Sequence, residues 1–137
     1  MNRLTLKYEL DLDFVLIAIT SQLKDYMLCF KLNKQLNINF HKIDELIIEN
    51  NSGGLFFSRY LYQTPETETD FYLLANKGDY GYLIPEMKTV DYFIIIRNYI
   101  SQDEAEQLID GINRLPEVLA AIEVDPRRLK SKENLIF

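Results

Sequence analysis

The amino-acid sequence predicts a single α+β domain of two layers, in which about two main helices pack against a mixed, mostly antiparallel sheet. Several runs alternate apolar and polar residues as half-buried strands do, and two segments carry apolar residues at helical spacing. Clusters rich in Gly, Asn and Pro separate these runs. The length of 137 residues, with 47% hydrophobic and 26% charged residues, suits one globular domain with its own core.

The N-terminal region predicts two strands. Residues Leu4 to Leu12 alternate strictly between apolar and polar side chains, which is typical of a half-buried strand. The run Phe14 to Ile19 is apolar on every side, so it fits either a buried strand or a short buried helix capped by Asp13. Its density of β-branched residues favours the strand.

The first helix is predicted over Asp25 to Leu36, with Asp25 as its N-cap. Its apolar face carries Leu28, Cys29 and Leu32. This places the only cysteine on the core side, as a small buried hydrophobe. A nucleophilic role would require His41, the only histidine, as its partner.

The middle of the chain predicts antiparallel hairpins. Residues 37–52 have a weak pattern and end at an Asn-Asn-Ser-Gly-Gly turn signal. Two strand-like runs, 55–63 and 71–75, flank the polar, acidic residues 64–70, which predict a hairpin with an extended, mobile tip.

The second half predicts a strand–helix–strand unit. Residues 92–96 are apolar on both faces, so this strand should be central and covered on both sides. Ser101 and Glu104 form a capping box, and an apolar stripe then continues to Leu115, before Pro116. Residues 118–124 alternate and suggest a last strand, although their alanines leave a helix open.

Composition narrows the class of function. One free cysteine, an N-terminus without signal-peptide character and the lack of a long apolar stretch predict a cytoplasmic protein without a membrane partner. A formal net charge of −6 disfavours nucleic acid as a partner. One His and one Cys make no zinc-type cluster, and the glycines lack phosphate-loop spacing, so no metal or cofactor is predicted.

The C-terminal tail, residues 127–137, combines a basic start with an apolar end. Its basic residues are expected to fold back along the acidic second helix or to stay solvated, and weak RNA or anion binding is a third-rank hypothesis. They are Arg127, Arg128, Lys130 and Lys132. The final Leu135, Ile136 and Phe137 are expected to dock, either on the body of the domain or on a second copy.

Residues 80–92 are the most conspicuous stretch, because a proline-broken turn leads directly into the predicted central strand. Glu86 and Asp91 flank the turn, and Tyr82 and Tyr92 lie beside them in sequence. These four residues are either a small-molecule or catalytic site or a structural turn whose carboxylates accept backbone N–H groups, and the structural role is favoured.

The nonapeptide Ile-Pro-Glu-Met-Lys-Thr-Val-Asp-Tyr, residues 84–92, resembles the signature of the bacterial IPExxxVDY family at all six specified positions. The flanking Leu23–Cys29 and Lys130–Phe137 segments also fit that family, so the resemblance covers essentially the whole chain. It implies a small, single-domain cytoplasmic protein and carries over no catalytic residue.

The leading functional expectation is a non-enzymatic protein–protein interaction, including self-association, because Tyr and Phe are abundant and such residues are enriched at interfaces. A pocket at the 80–92 loop is the alternative. The candidate interface residues are Phe56, Phe57, Tyr60, Tyr62, Leu135, Ile136 and Phe137.

Overall fold

The computed structural model describes residues 12–50 and 53–137. These residues form six strands, β1 (Val15–Ser21), β2 (His41–Asn50), β3 (Gly53–Thr64), β4 (Thr69–Ala75), β5 (Tyr92–Arg97) and β6 (Val118–Val124). They also form two α-helices, α1 (Asp25–Leu36) and α2 (Gln102–Asn113), and two 3-10 turns, Pro126–Arg128 and Lys132–Leu135. The strand predicted over Leu4 to Leu12 falls outside the described residues, except for its last position.

The strands form one open sheet in the order β2–β3–β4–β5–β1–β6, and every neighbouring pair is antiparallel. The α+β prediction is confirmed, and the sheet is antiparallel throughout rather than mixed. The predicted strand–helix–strand unit is present, but β1 lies between β5 and β6. Without hairpin β2–β3, the remaining elements run β-α-β-β-α-β, the ferredoxin-like arrangement.

Each face of the sheet has its own hydrophobic core. Tyr92, Ile94 and Ile96 of β5 face a core that both helices cover, whereas Phe93 and Ile95 face a second core on the other side. All five side chains are buried, so the central, doubly covered strand is confirmed. The run predicted as a buried strand at Phe14 to Ile19 is likewise a strand, β1.

The second core is covered by the segment 76–91 and by the C-terminal tail. Leu83 and Ile84 from the first segment and Leu129 and Leu135 from the tail are buried in it. Of the two expectations for the basic residues of the tail, folding back along the acidic helix is wrong, because Leu129 and Leu135 anchor the tail on the opposite face of the sheet. Staying solvated fits Arg127, Arg128 and Lys130, which are exposed. Within the chain, Leu135 of the apolar end docks on the body of the domain, where it is fully buried.

The helix boundaries follow local signals closely. Helix α1 has the predicted limits, but Lys24 is its N-cap, and Asp25 instead accepts a hydrogen bond of 3.0 Å from the Tyr60 hydroxyl. Helix α2 begins with the predicted capping box and ends at Asn113, two residues before the predicted end. No helix among the described residues is both long and apolar enough to cross a membrane.

The hairpin between β3 and β4 is tighter than predicted. Its turn contains only Pro65–Glu68, because Thr64 and Thr69 already pair across the two strands. The turn is anchored to the chain after β5, where the Asn98 amide donates to the Glu68 carbonyl oxygen at 2.6 Å. The Thr69 hydroxyl donates to the carbonyl oxygen of Tyr99 at 2.6 Å. The polar residues 65–68 therefore form a turn that is anchored to the chain after β5.

Candidate functional site

The 76–91 segment is organised around Asn76, which is completely buried. Its side-chain amide donates to the carbonyl oxygens of Met87 at 2.9 Å and Val90 at 2.8 Å. Its side-chain oxygen accepts from the backbone N–H of Ile84 at 2.8 Å. One side chain therefore satisfies three backbone groups of the turn. The sequence marks Asn76 only as the first residue of a loop-like stretch, so this role was missed.

Glu86 binds the C-terminal tail. Its carboxylate accepts hydrogen bonds from the backbone N–H groups of Lys130 at 2.6 Å and Ser131 at 2.9 Å, and from the Ser131 hydroxyl at 2.9 Å. Burial opposes ionisation of the carboxyl, but the bonds from Ser131 and Lys130 outweigh it, and the pKa of Glu86 is lowered. These bonds form a clamp that joins the 76–91 segment to the C-terminal tail.

Asp91 and Tyr92 fasten the start of β5 to the end of β1. Asp91 accepts a hydrogen bond from the backbone N–H of Ser21 at 2.8 Å and pairs with the Lys77 ammonium at 2.7 Å. The Tyr92 hydroxyl donates to the carbonyl oxygen of Leu23 at 2.5 Å. Burial, together with the nearby carboxylates of Asp25 and Asp91, raises the pKa of Tyr92 to about 12. The hydroxyl therefore stays a donor at neutral pH.

The four candidate residues of this stretch are held by different contacts. Tyr82 is half-buried, with the Lys88 ammonium 6.0 Å from its ring centre. None of Tyr82, Glu86, Asp91 and Tyr92 lines either of the two cavities described below. Glu86, Asp91 and Tyr92 each bind a separate segment of the chain, which favours the structural turn over a small-molecule site.

Replacing Glu86 with glutamine is expected to lower the free energy of unfolding by about 1 kcal/mol. The substitution removes the charge that strengthens the hydrogen bonds to the tail, and the loss is modest because Glu86 is exposed. Urea denaturation of the unmodified chain and of the variant, carried out over a range of pH, measures the difference in the free energy of unfolding. A carboxyl with a lowered pKa stabilises the fold fully above its unfolded-state pKa. That contribution is lost as the pH falls through the folded-state pKa. The difference between the two proteins should therefore shrink in acid, and a difference that is constant with pH would contradict the clamp.

The aromatic and apolar residues chosen as a candidate interface do not share one surface. Phe57, Tyr60 and Leu135 are 1%, 5% and 0% exposed, so they are corrected from interface to core. The reason is that β3 is covered on both faces, with Phe57 in one core and Tyr60 in the other. Phe56 is about half exposed, and Tyr62 and Ile136 are partly buried. Phe137 lies with its ring centre 4.2 Å from the Arg97 guanidinium.

Cys29 is buried, as predicted, and lies on the helix-side core. Its thiol donates to the carbonyl oxygen of Phe40 at 3.6 Å, and burial raises the thiol pKa. Reactive cysteines have a lowered pKa and an accessible sulfur, which is the opposite condition. His41 lies exposed at the start of β2. These observations favour a packing role for the thiol.

A groove of about 770 Å³ lies on the helix side of the sheet, between the C-terminal end of α1, the length of α2 and the ends of β3 and β4. It occurs where the helix-side core is incompletely covered, so its apolar side chains are only partly buried. Those side chains are Leu36, Ile38, Tyr62, Phe71, Ile100 and Leu108. Its volume falls within the range of about 300–1,000 Å³ that is usual for binding pockets.

The groove has an acidic, hydroxyl-rich margin. Glu66, Glu104 and Asp110 contribute three carboxylates, and Arg114 contributes one guanidinium, which leaves a formal charge of −2. All four of these residues are exposed.

The wall of the groove along the β3–β4 turn consists of three threonines. Thr67 lies within hydrogen-bonding distance of both Thr64 and Thr69, at 2.6 and 2.8 Å between hydroxyl oxygens. Thr69 in turn binds the backbone of Tyr99, whose 63% exposed side chain also lines the groove. This chain of bonds holds the wall in place beside the helix.

A second, smaller depression of about 420 Å³ lies near the start of the 80–92 loop. It is lined mainly by polar residues, together with Phe56 and the strongly exposed Tyr80. Among residues 12–50 and 53–137, no group of three or more His, Cys, Asp or Glu side chains is arranged to hold a metal ion. The larger groove is therefore the stronger candidate for a binding site.

The groove was not foreseen from the sequence. Its lining comes from three separate parts of the chain, residues 35–40, 62–71 and 99–114, and no local pattern connects them. The available signal was partial: Ile100 and Leu108 are apolar, and the predicted acidic loop at 64–70 does form part of the margin. No family model matches the chain, and no significant match to a curated protein was found.

Proposed function

We propose that this chain is a non-enzymatic binding protein that holds a segment of another protein in the groove between α1, α2 and the β3–β4 turn. The observation that carries the proposal is the groove itself, with its apolar lining and acidic margin. We place the protein in the cytoplasm, as its single cysteine and its resemblance to the IPExxxVDY family imply.

The chemistry of the groove specifies the occupant. Partly buried side chains such as Ile100 and Leu108 offer apolar area that a partner can cover. The carboxylates of Glu66 and Asp110 attract cations, and the chain as a whole carries a formal net charge of −6. A peptide segment that combines apolar with basic side chains satisfies both conditions.

A binding role also fits the positions of the ionisable groups. The carboxylates of the conspicuous turn, Glu86 and Asp91, are hydrogen-bonded within the fold, and Tyr92 is a buried donor to the backbone. The buried thiol of Cys29 has a raised pKa. These groups therefore support stability of the fold rather than acid–base or nucleophilic chemistry.

Binding of a short fluorescent peptide of alternating leucine and lysine tests the proposal by anisotropy. The double variant Glu66→Lys with Asp110→Lys should bind at least about 10-fold more weakly, since loss of about 1.4 kcal/mol changes the dissociation constant tenfold. The matched control is Asp13→Lys with Glu49→Lys, which makes the same change of charge at exposed positions outside the groove. The control should bind like the unmodified chain.

Three outcomes would overturn the proposal. Equal weakening by the control variant would mean that only the net charge attracts the peptide. Equal binding of a leucine–glutamate peptide would remove the role of the acidic margin. Light scattering that shows a dimer lost in the groove variant would identify a second copy of the chain as the occupant, in place of another protein.

A further inference from the structure

Among the residues that the structure describes, β6 is an outer strand of the sheet, with β1 on one side only. The backbone of Ile19 in β1 faces away from β6, because its carbonyl oxygen accepts a hydrogen bond from the Asp91 N–H. Ile19 stands opposite Ala121 of β6. Since hydrogen-bonded and non-bonded pairs alternate along antiparallel strands, the N–H and C=O of Ala121 also face away from β1.

Both outward groups of Ala121 are occupied by one side chain from α2. The Asn113 side-chain amide donates to the Ala121 carbonyl oxygen at 3.0 Å, and the Ala121 N–H donates to the Asn113 side-chain oxygen at 2.9 Å. This pair of bonds is what a residue of a neighbouring strand would make. Asn113 is the last residue of α2, so the helix positions it at the sheet edge.

The sequence of β6 is suited to pairing with itself. Its residues are apolar apart from Glu123, and Ile122 is 56% exposed. In a two-fold antiparallel pairing centred on Ile122, this side chain meets its own copy and Ala121 stands opposite Glu123. The two Glu123 carboxylates are then not opposite each other, so like charges do not oppose the contact.

Asn113 blocks this pairing because it occupies the backbone groups of Ala121, which the pairing needs. Because outward-facing residues alternate, the regular stretch of β6 from Ala120 to Val124 presents the backbone of Ala121 and Glu123 to a second copy. Each inter-strand hydrogen bond in the two-fold register joins Ala121 of one copy to Glu123 of the other. Occupying Ala121 therefore removes every one of those bonds.

We propose that the outer edge of β6 is a pairing surface for a second copy of this chain and that Asn113 keeps it closed. The opposite edge supports the interpretation, because α1 supplies an equivalent side chain there. The Asn33 amide donates to the Phe40 carbonyl oxygen at 3.0 Å, and the Phe40 N–H donates to the Asn33 oxygen at 2.7 Å. Phe40 immediately precedes the other outer strand, β2. Exposed strand edges are the usual starting points of unwanted association between chains.

The test measures the mass of the full chain by light scattering over a range of concentrations. Asn113→Ala should shift from one chain to two as concentration rises, while the unmodified chain keeps its mass. The double variant Asn113→Ala with Ile122→Lys should return to the mass of the unmodified chain, because two lysines then meet at the centre of the pairing. Far-ultraviolet circular dichroism checks that each variant is folded.

A matched control is Asn39→Ala, which removes an exposed asparagine away from β6 and should leave the mass unchanged. A folded Asn113→Ala variant that keeps the mass of the unmodified chain at every concentration would overturn the proposal. Association that persists in the double variant would also overturn it, because the contact would then lie elsewhere. If Asn113→Ala proves unfolded, Asn113→Leu supplies the same test, since leucine has a similar size but can neither donate to nor accept from the backbone of Ala121.

Discussion

Replacing Asn76 with alanine is expected to lower the free energy of unfolding by about 4 kcal/mol, as measured by urea denaturation. The substitution removes the three side-chain hydrogen bonds that Asn76 makes to the turn and adds no group that could replace them. The N–H of Ile84 and the carbonyl oxygens of Met87 and Val90 would lose these bonds. An unsatisfied buried polar group costs about 1–3 kcal/mol, which is why the loss should be large.

The effect of Asn76→Ala should extend beyond the turn itself. Leu83 and Ile84 fill the second core, and they are held there by bonds to the backbone and side chain of Asn76. Amide hydrogen exchange should therefore speed up across residues 83–91 more than across α2. Asn39→Ala, at an exposed position, is the control and should change stability by less than about 0.5 kcal/mol. A loss below about 1 kcal/mol for Asn76→Ala would mean that the turn is held mainly by its apolar contacts.

Replacing Leu135 with alanine is expected to cost about 3 kcal/mol, in the range measured for large-to-small changes at fully buried leucines. Leu135 is 0% exposed and fills the second core beneath the tail. The Asn134 amide beside it donates to the Leu83 carbonyl oxygen at 2.8 Å, so the tail and the 76–91 segment hold each other. Loss of the leucine side chain leaves a cavity that this polar contact cannot close.

The neighbouring residue provides the control for Leu135. Ile136 has a similar size but is only partly buried, so Ile136→Ala should cost about 1 kcal/mol. Urea denaturation of both variants compares the two positions directly. Negligible costs at both positions would contradict docking of the tail on the domain, and limited proteolysis within residues 126–137 would then be expected in the unmodified chain.

The parts of the fold that were predicted from sequence are those with local signals. Helix α1 has the predicted limits, and Ser101 and Glu104 form the predicted capping box, because helical spacing and caps involve residues a few positions apart. The doubly covered β5 was also predicted, since an unbroken apolar run shows that both of its faces are buried.

The binding groove and the roles of the turn residues depend on contacts between distant segments. Glu86 and Ser131 are 45 positions apart in the sequence, and neither segment carries a pattern that predicts contact with the other. The groove brings Ile38 beside Ile100 only after the sheet has formed. Phe57 and Tyr60 were assigned to an interface because a strand with aromatic residues on both sides gives no alternation from which burial can be recognised.

The position of β1 in the sheet has a consequence for how the molecule is made. This strand starts at Val15, yet its two neighbours are β5 and β6, and β6 ends at Val124. During synthesis, β1 and α1 emerge long before either partner, whereas hairpin β2–β3 can pair at once. The β1–β6 end of the sheet therefore closes last, and the apolar strand β1 lacks one of its two partners until β6 has been made. Such long-range pairing slows folding and lengthens the time in which a nascent chain depends on chaperones.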